Sequence, residues 1–177
     1  MNYFEFYGIP ETFNPDEAAI KRKFYALSKE FHPDFYVNDT PEKQQEILEL
    51  STINNKAYQV LSNAQKRLEY ILQSNNQIAE GDKYQLPQAF LMEMMEVNEA
   101  LMELEFDADE KALEETEKQV AGIEAELLTE LKFFTEKYDK EQNPAERESF
   151  LLEIKDLYYR QKYLLRIRES LNRFASR

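Results

Sequence analysis

The apolar residues of the first third of the chain fall at helical intervals. Ile20, Phe24, Leu27 and Phe31 follow one another at steps of four, three and four, which predicts one buried helix face. "NPDE" at 14–17 predicts its start, with Asn14 as cap, Pro15 at the first helical position and Glu17 completing a capping box. Pro33 predicts its end, because proline disfavours helical geometry at the residue before it. A polar loop, "VNDTPE", leads to a second helix capped by Thr40 and opened by Pro41. Ile47, Leu50, Ile53, Ala57, Tyr58 and Leu61 mark its apolar face. Two such helices on a moderate loop predict an antiparallel hairpin. "LSNAQKR" then predicts a turn and a short helix bearing Leu68, Tyr70, Ile71 and Leu72.

The pattern lapses over 74–86, "SNNQIAEGDKYQL", a polar stretch holding one of three glycines, which reads as a linker. Three further helices follow: 87–105, a second opened by "DADE" at 107–110 and running to about Lys140, and a third opened by "NPAE" at 143–146. Ile123, Leu127, Leu131, Phe134 and Tyr138 give the second its apolar face. Phe150, Leu157, Leu164 and Leu171 recur every seven residues in the third, with Ile154 between. Short connections between these helices predict an antiparallel three-helix bundle. The fold expected is all-α in two parts, 1–73 and 87–177, joined through 74–86.

Composition narrows the function. In 177 residues, 42% are hydrophobic, enough for packed cores, and few Gly and Pro interrupt the helices. A net charge of −13 argues against nucleic acid as a partner. The absence of cysteine removes disulfides, thiolate metal sites and a cysteine nucleophile together. "MNYFEFYGIP" carries no cationic n-region, and no apolar run reaches membrane-spanning length. The expectation is a cytoplasmic protein with no membrane and no cofactor.

Candidate chemistry concentrates at "SKEFHPDFY", 28–36, which holds the one histidine. A metal site needs several convergent imidazole or thiolate ligands, and neither these nor a spaced calcium loop are present. Catalysis by His32 with Asp34 would need a nucleophile, and Ser28 and Ser51 lie in no nucleophile-elbow context. Without a glycine-rich phosphate loop either, we expect no catalytic residue, no metal ligand and no enzyme, a small hydrolase using His32 being the remote alternative. The plain alternative is that His32 and Asp34 cap a helix end. The context adds Lys21, Arg22, Lys23 and Lys29, a positive helix face inside a negative protein, leading into a rigid proline turn.

Helix 87–105 raises a second question. At about 100° per residue, Phe90, Met94, Val97, Leu101 and Leu104 share one narrow stripe, sufficient to pack a bundle. Leu91, Met92, Met95 and Met102 lie outside it, beside Glu93, Glu96, Glu99, Glu103 and Glu105. The residues alone leave two readings: packing against other parts of the chain, or an adaptable methionine-rich interface. Arg160, Lys162, Arg166, Arg168, Arg173 and Arg177 make the last helix basic, which suits its own dipole, an acidic neighbour, or a solvated face.

"IKRKFYALSKEFHPD" followed by "INNKAYQVLSNAQKRLEYIL" resembles a J-domain, the module that docks on seventy-kilodalton heat-shock chaperones. "MNYFEFYGIP", "STIN" at 51–54 and "FLMEMMEVNEAL" at 90–101 extend the resemblance to the HscB-type J-protein co-chaperones of iron–sulfur cluster assembly, over nearly the whole chain. The resemblance implies that 1–73 is a J-domain whose His32, Pro33 and Asp34 stimulate the ATPase of an HscA- or DnaK-type chaperone, with Lys21, Arg22, Lys23 and Lys29 as the docking face. It implies that the bundle binds the scaffold protein IscU through Leu91, Met92, Met95, Glu96, Glu99, Glu103 and Tyr159, as an apolar centre ringed by acids. The protein itself is expected to be monomeric. Tyr25, Ala26 and Phe35 depart from the family, which often has basic residues there. A general adaptor recruiting a DnaK-type chaperone to another client is the alternative.

Overall fold

The computed structural model describes residues 2–176, so Arg177 lies outside the described residues. Every regular element among them is helical. α1 spans Tyr3–Tyr7, α2 Glu17–Glu30, α3 Pro41–Leu61, α4 Ala64–Ser74, α5 Gln88–Phe106, α6 Glu110–Lys140 and α7 Pro144–Ala175, with a 3-10 turn at Pro33–Tyr36. The chain divides into two compact units, Met1–Asn76 and Gln77–Arg177.

In the first unit α2 and α3 form the expected hairpin. Asn54 meets Ser28 and Tyr58 stacks on Phe24 at 4.1 Å, so numbering rises on one helix as it falls on the other, the antiparallel sense. α1 has no counterpart in the sequence reading, because five residues are too few for a periodic signal. Its ends are nonetheless marked. Asn2 and Glu5 form a capping box, and Gly8 closes the helix at φ +66°, a left-handed conformation that costs glycine little. Phe4 and Tyr7 of α1 are buried. Tyr7 donates to the Asn54 side chain at 2.9 Å, and Asn54 donates to Ser28 Oγ and the Phe24 carbonyl. One buried amide thus joins three helices, its polar groups satisfied as burial requires.

Three expectations are corrected. Asp16, not Asn14, caps α2, accepting from Ala18 N–H and Ala19 N–H. Two strong caps compete in "NPDE"; in "NPAE" alanine stands at the rival position, and Asn143 caps α7 with Pro144 first, as expected. Likewise Asp109, not Asp107, caps α6, because α5 extends to Phe106 and Asp107 is its C-cap. On α3, Ile53 is exposed and Asn54 takes the buried position, since Ile47, Asn54, Ala57 and Leu61 lie on the side facing the unit's interior.

The second unit is an up-down-up bundle. Phe90 lies against Arg160 and Tyr163 at one end, and Leu101 shares a groove with Ser170 and Phe174 at the other, so α5 and α7 run parallel. Glu117 meets Arg168 and Phe134 meets Phe150, so α6 runs antiparallel to α7. The core closes over Phe90, Met94, Val97, Leu101 and Leu104, the stripe expected for α5, with Val120, Leu127, Leu157, Leu164, Ile167 and Leu171 from the other helices. At about 25 cal/mol per Å² of apolar surface, this burial is the main force holding the bundle. Arg168 adds a clamp to Glu124 and Glu117 across α6 and α7. Those carboxylates hold its guanidinium still more firmly protonated than usual.

Candidate functional site

The first candidate site begins where α2 stops. Phe31 N–H still bonds to the Leu27 carbonyl, and His32 then turns to extended backbone at φ −75°, ψ 123°. This is the geometry a following proline imposes. His32 becomes the cap of the 3-10 turn: its Nδ1 accepts from Asp34 N–H at 3.2 Å. Phe35 N–H bonds back to the His32 carbonyl, and Tyr36 donates to the Glu30 carbonyl at 2.8 Å. Gln44 of α3 donates to the carbonyls of Val37 and Asp39. The turn is therefore held from both helices while His32, Pro33 and Asp34 stay exposed.

Ser28 is no nucleophile for His32. Its hydroxyl donates to Phe24 O and accepts from Asn54 within the structural network. Among the described residues no group of three or more metal-ligating side chains converges. Lys21, Arg22, Lys23 and Lys29 are all exposed on α2. Arg22 reaches Asp16 only at 3.8 Å in a solvated pair, an interaction of little strength. Tyr25, at 60% exposure, sits among these cations, and Phe35, 66% exposed, packs edge-on to the His32 ring.

The second candidate site is the outer surface of α5. Met92 and Met95 are 60% and 61% exposed and Leu91 is half-buried, while the core stripe of the same helix is closed in the interior. At about 100° per residue, Leu91, Met95 and Met102 share the flank that bears Asn98, whose amide donates to Tyr163 Oη at 3.0 Å. That flank therefore runs beside α7. Met92, Glu96, Glu99 and Glu103 project from the opposite, outer side and are exposed. The acids form a ridge alongside the Leu91–Met95–Met102 row instead of a ring about it. Because α5 and α7 are parallel, Tyr159, one turn before Tyr163, lies towards the end of α5 at which Leu91 sits.

Tyr159 is not free-standing. Its ring stacks on Tyr84 with centroids 4.4 Å apart and planes 8° from parallel. Tyr84 donates to Asp156 Oδ1 at 2.6 Å, and Arg160 grips the same carboxylate at 2.5 Å. Burial, then the Asp156 bond, pushes the Tyr84 hydroxyl well above the usual tyrosine range. Burial first, and the Asp82 carboxylate second, raises Tyr159 too. Tyr84 lies in the 74–86 segment that composition reads as a linker. The only hint of its placement is a lone aromatic in a polar run. Leu86, from the same segment, packs on the bundle core, and Gly81 at φ +84° supplies the turn between Ala79 and Asp82. No described helix is long and apolar enough to cross a membrane.

Comparison with known proteins now adds to this geometry. Residues 2–70 match the DnaJ domain family, and residues 86–172 match the family described as the HSCB C-terminal oligomerisation domain. The co-chaperone protein HscB homolog of Vibrio campbellii is 32% identical over 137 residues, covering 72% of this chain and 80% of that one. The homolog of the same name from Vibrio cholerae is 35% identical over 134 residues, 74% of this chain and 78% of that one. Among solved structures, the chaperone HscB from Vibrio cholerae aligns over 99% of this chain and 98% of its own, at 27% identity and a TM-score of 0.70. The human co-chaperone protein HscB aligns over 97% and 81%, at 26% identity and a TM-score of 0.71. With a DnaJ-domain match over the first unit, a C-terminal-domain match over the second, relatives above 30% identical and fold agreement over nearly the whole chain, the chain belongs to the HscB family of J-domain co-chaperones.

Proposed function

We propose that this co-chaperone binds an IscU-type iron–sulfur scaffold through α5 and presents it to an HscA- or DnaK-type chaperone, whose ATPase it stimulates through His32, Pro33 and Asp34. The observation that carries the reading is the surplus apolar face of α5. Met92 and Met95 stand in solvent although a complete core stripe lies on the same helix. Exposed methionine on a rigid helix is an adaptable contact surface. The ridge of Glu96, Glu99 and Glu103 favours a partner with cations beside an apolar patch. Leu91 and Tyr159 complete the scaffold-binding set.

At the other site, Lys21, Arg22, Lys23 and Lys29 steer the chaperone by charge, and the turn then makes the contacts that bias its conformation. The co-chaperone stores no energy and transfers no group. It lowers the chaperone's barrier to hydrolysis by favouring one of its conformations, and the scaffold arrives with it.

Single-turnover ATP hydrolysis by the chaperone, with scaffold present, tests the pairing. The parent accelerates the step, and His32→Gln removes most of the acceleration while scaffold binding persists. Equal stimulation by His32→Gln would sink the role of the turn. Titration calorimetry against the scaffold tests the other half. If the parent fails to bind, the general adaptor for a different client remains in its place.

A further inference from the structure

The Tyr84–Tyr159 stack is reinforced by polar groups as well as by the two rings. Four groups converge on Tyr84: the Tyr159 ring face-on, the Asp156 carboxylate, Arg160 behind that carboxylate, and Lys155, whose ammonium lies 5.8 Å above the Tyr84 ring. Asp156 is nearly buried by this arrangement. Yet neither tyrosine belongs to the apolar core of the bundle, which closes without them. Both rings remain half-buried at the surface. Their order therefore has no evident role in holding the core, and its effect falls on the surface that Tyr159 presents.

We propose that Tyr84 is a positioning residue for the scaffold-binding surface, fixing the Tyr159 ring in the orientation that meets the partner. The proposal rests on the scaffold reading given above. A tyrosine stacked on one face keeps only its other face and its edge for a ligand. Its side-chain torsions are already restricted before binding, so less conformational freedom is lost on association. The Asp156–Arg160 pair sets the lateral position of Tyr84, since Asp156 and Arg160 are one helical turn apart on α7 and cannot drift independently. The segment before α5 is thereby part of the binding apparatus, not a passive tether.

The test is titration calorimetry of the full chain against a purified IscU-type scaffold, arranged as a mutant cycle. Tyr84→Ala weakens binding about five- to tenfold; Tyr84→Phe, which keeps the ring but loses the hydrogen bond, and Asp156→Asn, which keeps an acceptor but loses the charged pair with Arg160, each weaken it about two- to threefold. In a Tyr159→Ala background, Tyr84→Ala changes affinity less than twofold, because the residue it positions is gone. A merely structural Tyr84 gives equal losses in both backgrounds, and that result overturns the proposal, as does Tyr84→Ala binding like the parent. Should Tyr84→Ala lose helicity by circular dichroism, Tyr84→Phe and Asp156→Asn decide the matter on the same criterion. If Tyr159→Ala binds normally while Leu91→Ala with Met95→Ala does not, this proposal falls and the scaffold reading stands. If the parent itself does not bind, both fall.

Discussion

The two surfaces use opposite physics. The α2 surface offers Lys21, Arg22, Lys23 and Lys29 beside a turn held by backbone and side-chain hydrogen bonds. Recognition through such a surface, as proposed above, is long-ranged, fast and salt-sensitive. The α5 surface offers Leu91, Met92, Met95 and Met102 on a helix whose other side is locked into the core, with acids along one edge. Recognition through this surface, as proposed above, is short-ranged and depends on excluding water. On the function proposed above, charge would govern how quickly the chaperone is met, and buried area how long the scaffold is held.

The comparison can be broken most severely at the helix both roles of α5 share. Leu104→Ala, at a position 2% exposed, destabilises the fold by about 2–5 kcal/mol, whereas Met92→Ala on the outer side changes stability by less than about 0.5 kcal/mol. Urea denaturation of the full chain separates them. A large loss for Met92→Ala would mean that its face is structural. Next in size, Leu91→Ala with Met95→Ala costs about 2–4 kcal/mol of scaffold affinity, seen chiefly as faster dissociation, with stability nearly retained. An unchanged dissociation rate would remove α5 from the interface.

A smaller effect sharpens the charged side. Lys21→Ala with Arg22→Ala and Lys23→Ala slows chaperone association about tenfold at low salt, and the difference shrinks as salt rises. A loss indifferent to salt would point to apolar contact through Tyr25 and Phe35 instead. The smallest effect is alkaline. Burial and Asp156 raise the Tyr84 hydroxyl, so the folded state favours its protonated form. The stability this gives is present below the ordinary tyrosine value of about 10 and is lost as pH climbs above it. Tyr84→Phe should therefore show a shallower decline in melting temperature between about pH 9 and 11 than the parent; parallel curves would deny the Tyr84–Asp156 bond its part.

Much of the molecule is legible in local sequence. The α5 core stripe, the Thr40 and Asn143 caps and the proline stop before His32 each follow from residues within a few positions of one another. Helical period and backbone sterics act over that range. The same helical spacing also marked the surplus apolar residues of α5, since five apolar positions already filled the stripe, while leaving open what they contact. The caps at Asp16 and Asp109 were misplaced because two acceptors compete within one turn, and the outcome depends on where the preceding segment ends.

The buried polar groups were out of reach for a different reason. Asn54 is buried because Tyr7 lies 47 residues away in sequence and supplies its partner. Arg67 is buried because the carbonyls of Phe13 and Leu61 receive its guanidinium. Tyr84 is fixed by Asp156, 72 residues on. A periodic pattern records which side of a helix avoids water, and so the sequence by itself determined the helices from α2 onward, the two apolar faces of α5 and the presented turn, but not the five-residue α1. Whether Asn54 and Arg67 could leave water, and where Tyr84 settled, depended on partners distant in the chain, because a buried donor or acceptor is tolerated only where another group meets it. Only the tertiary structure decided that, and with it the placing of Tyr84 against Tyr159.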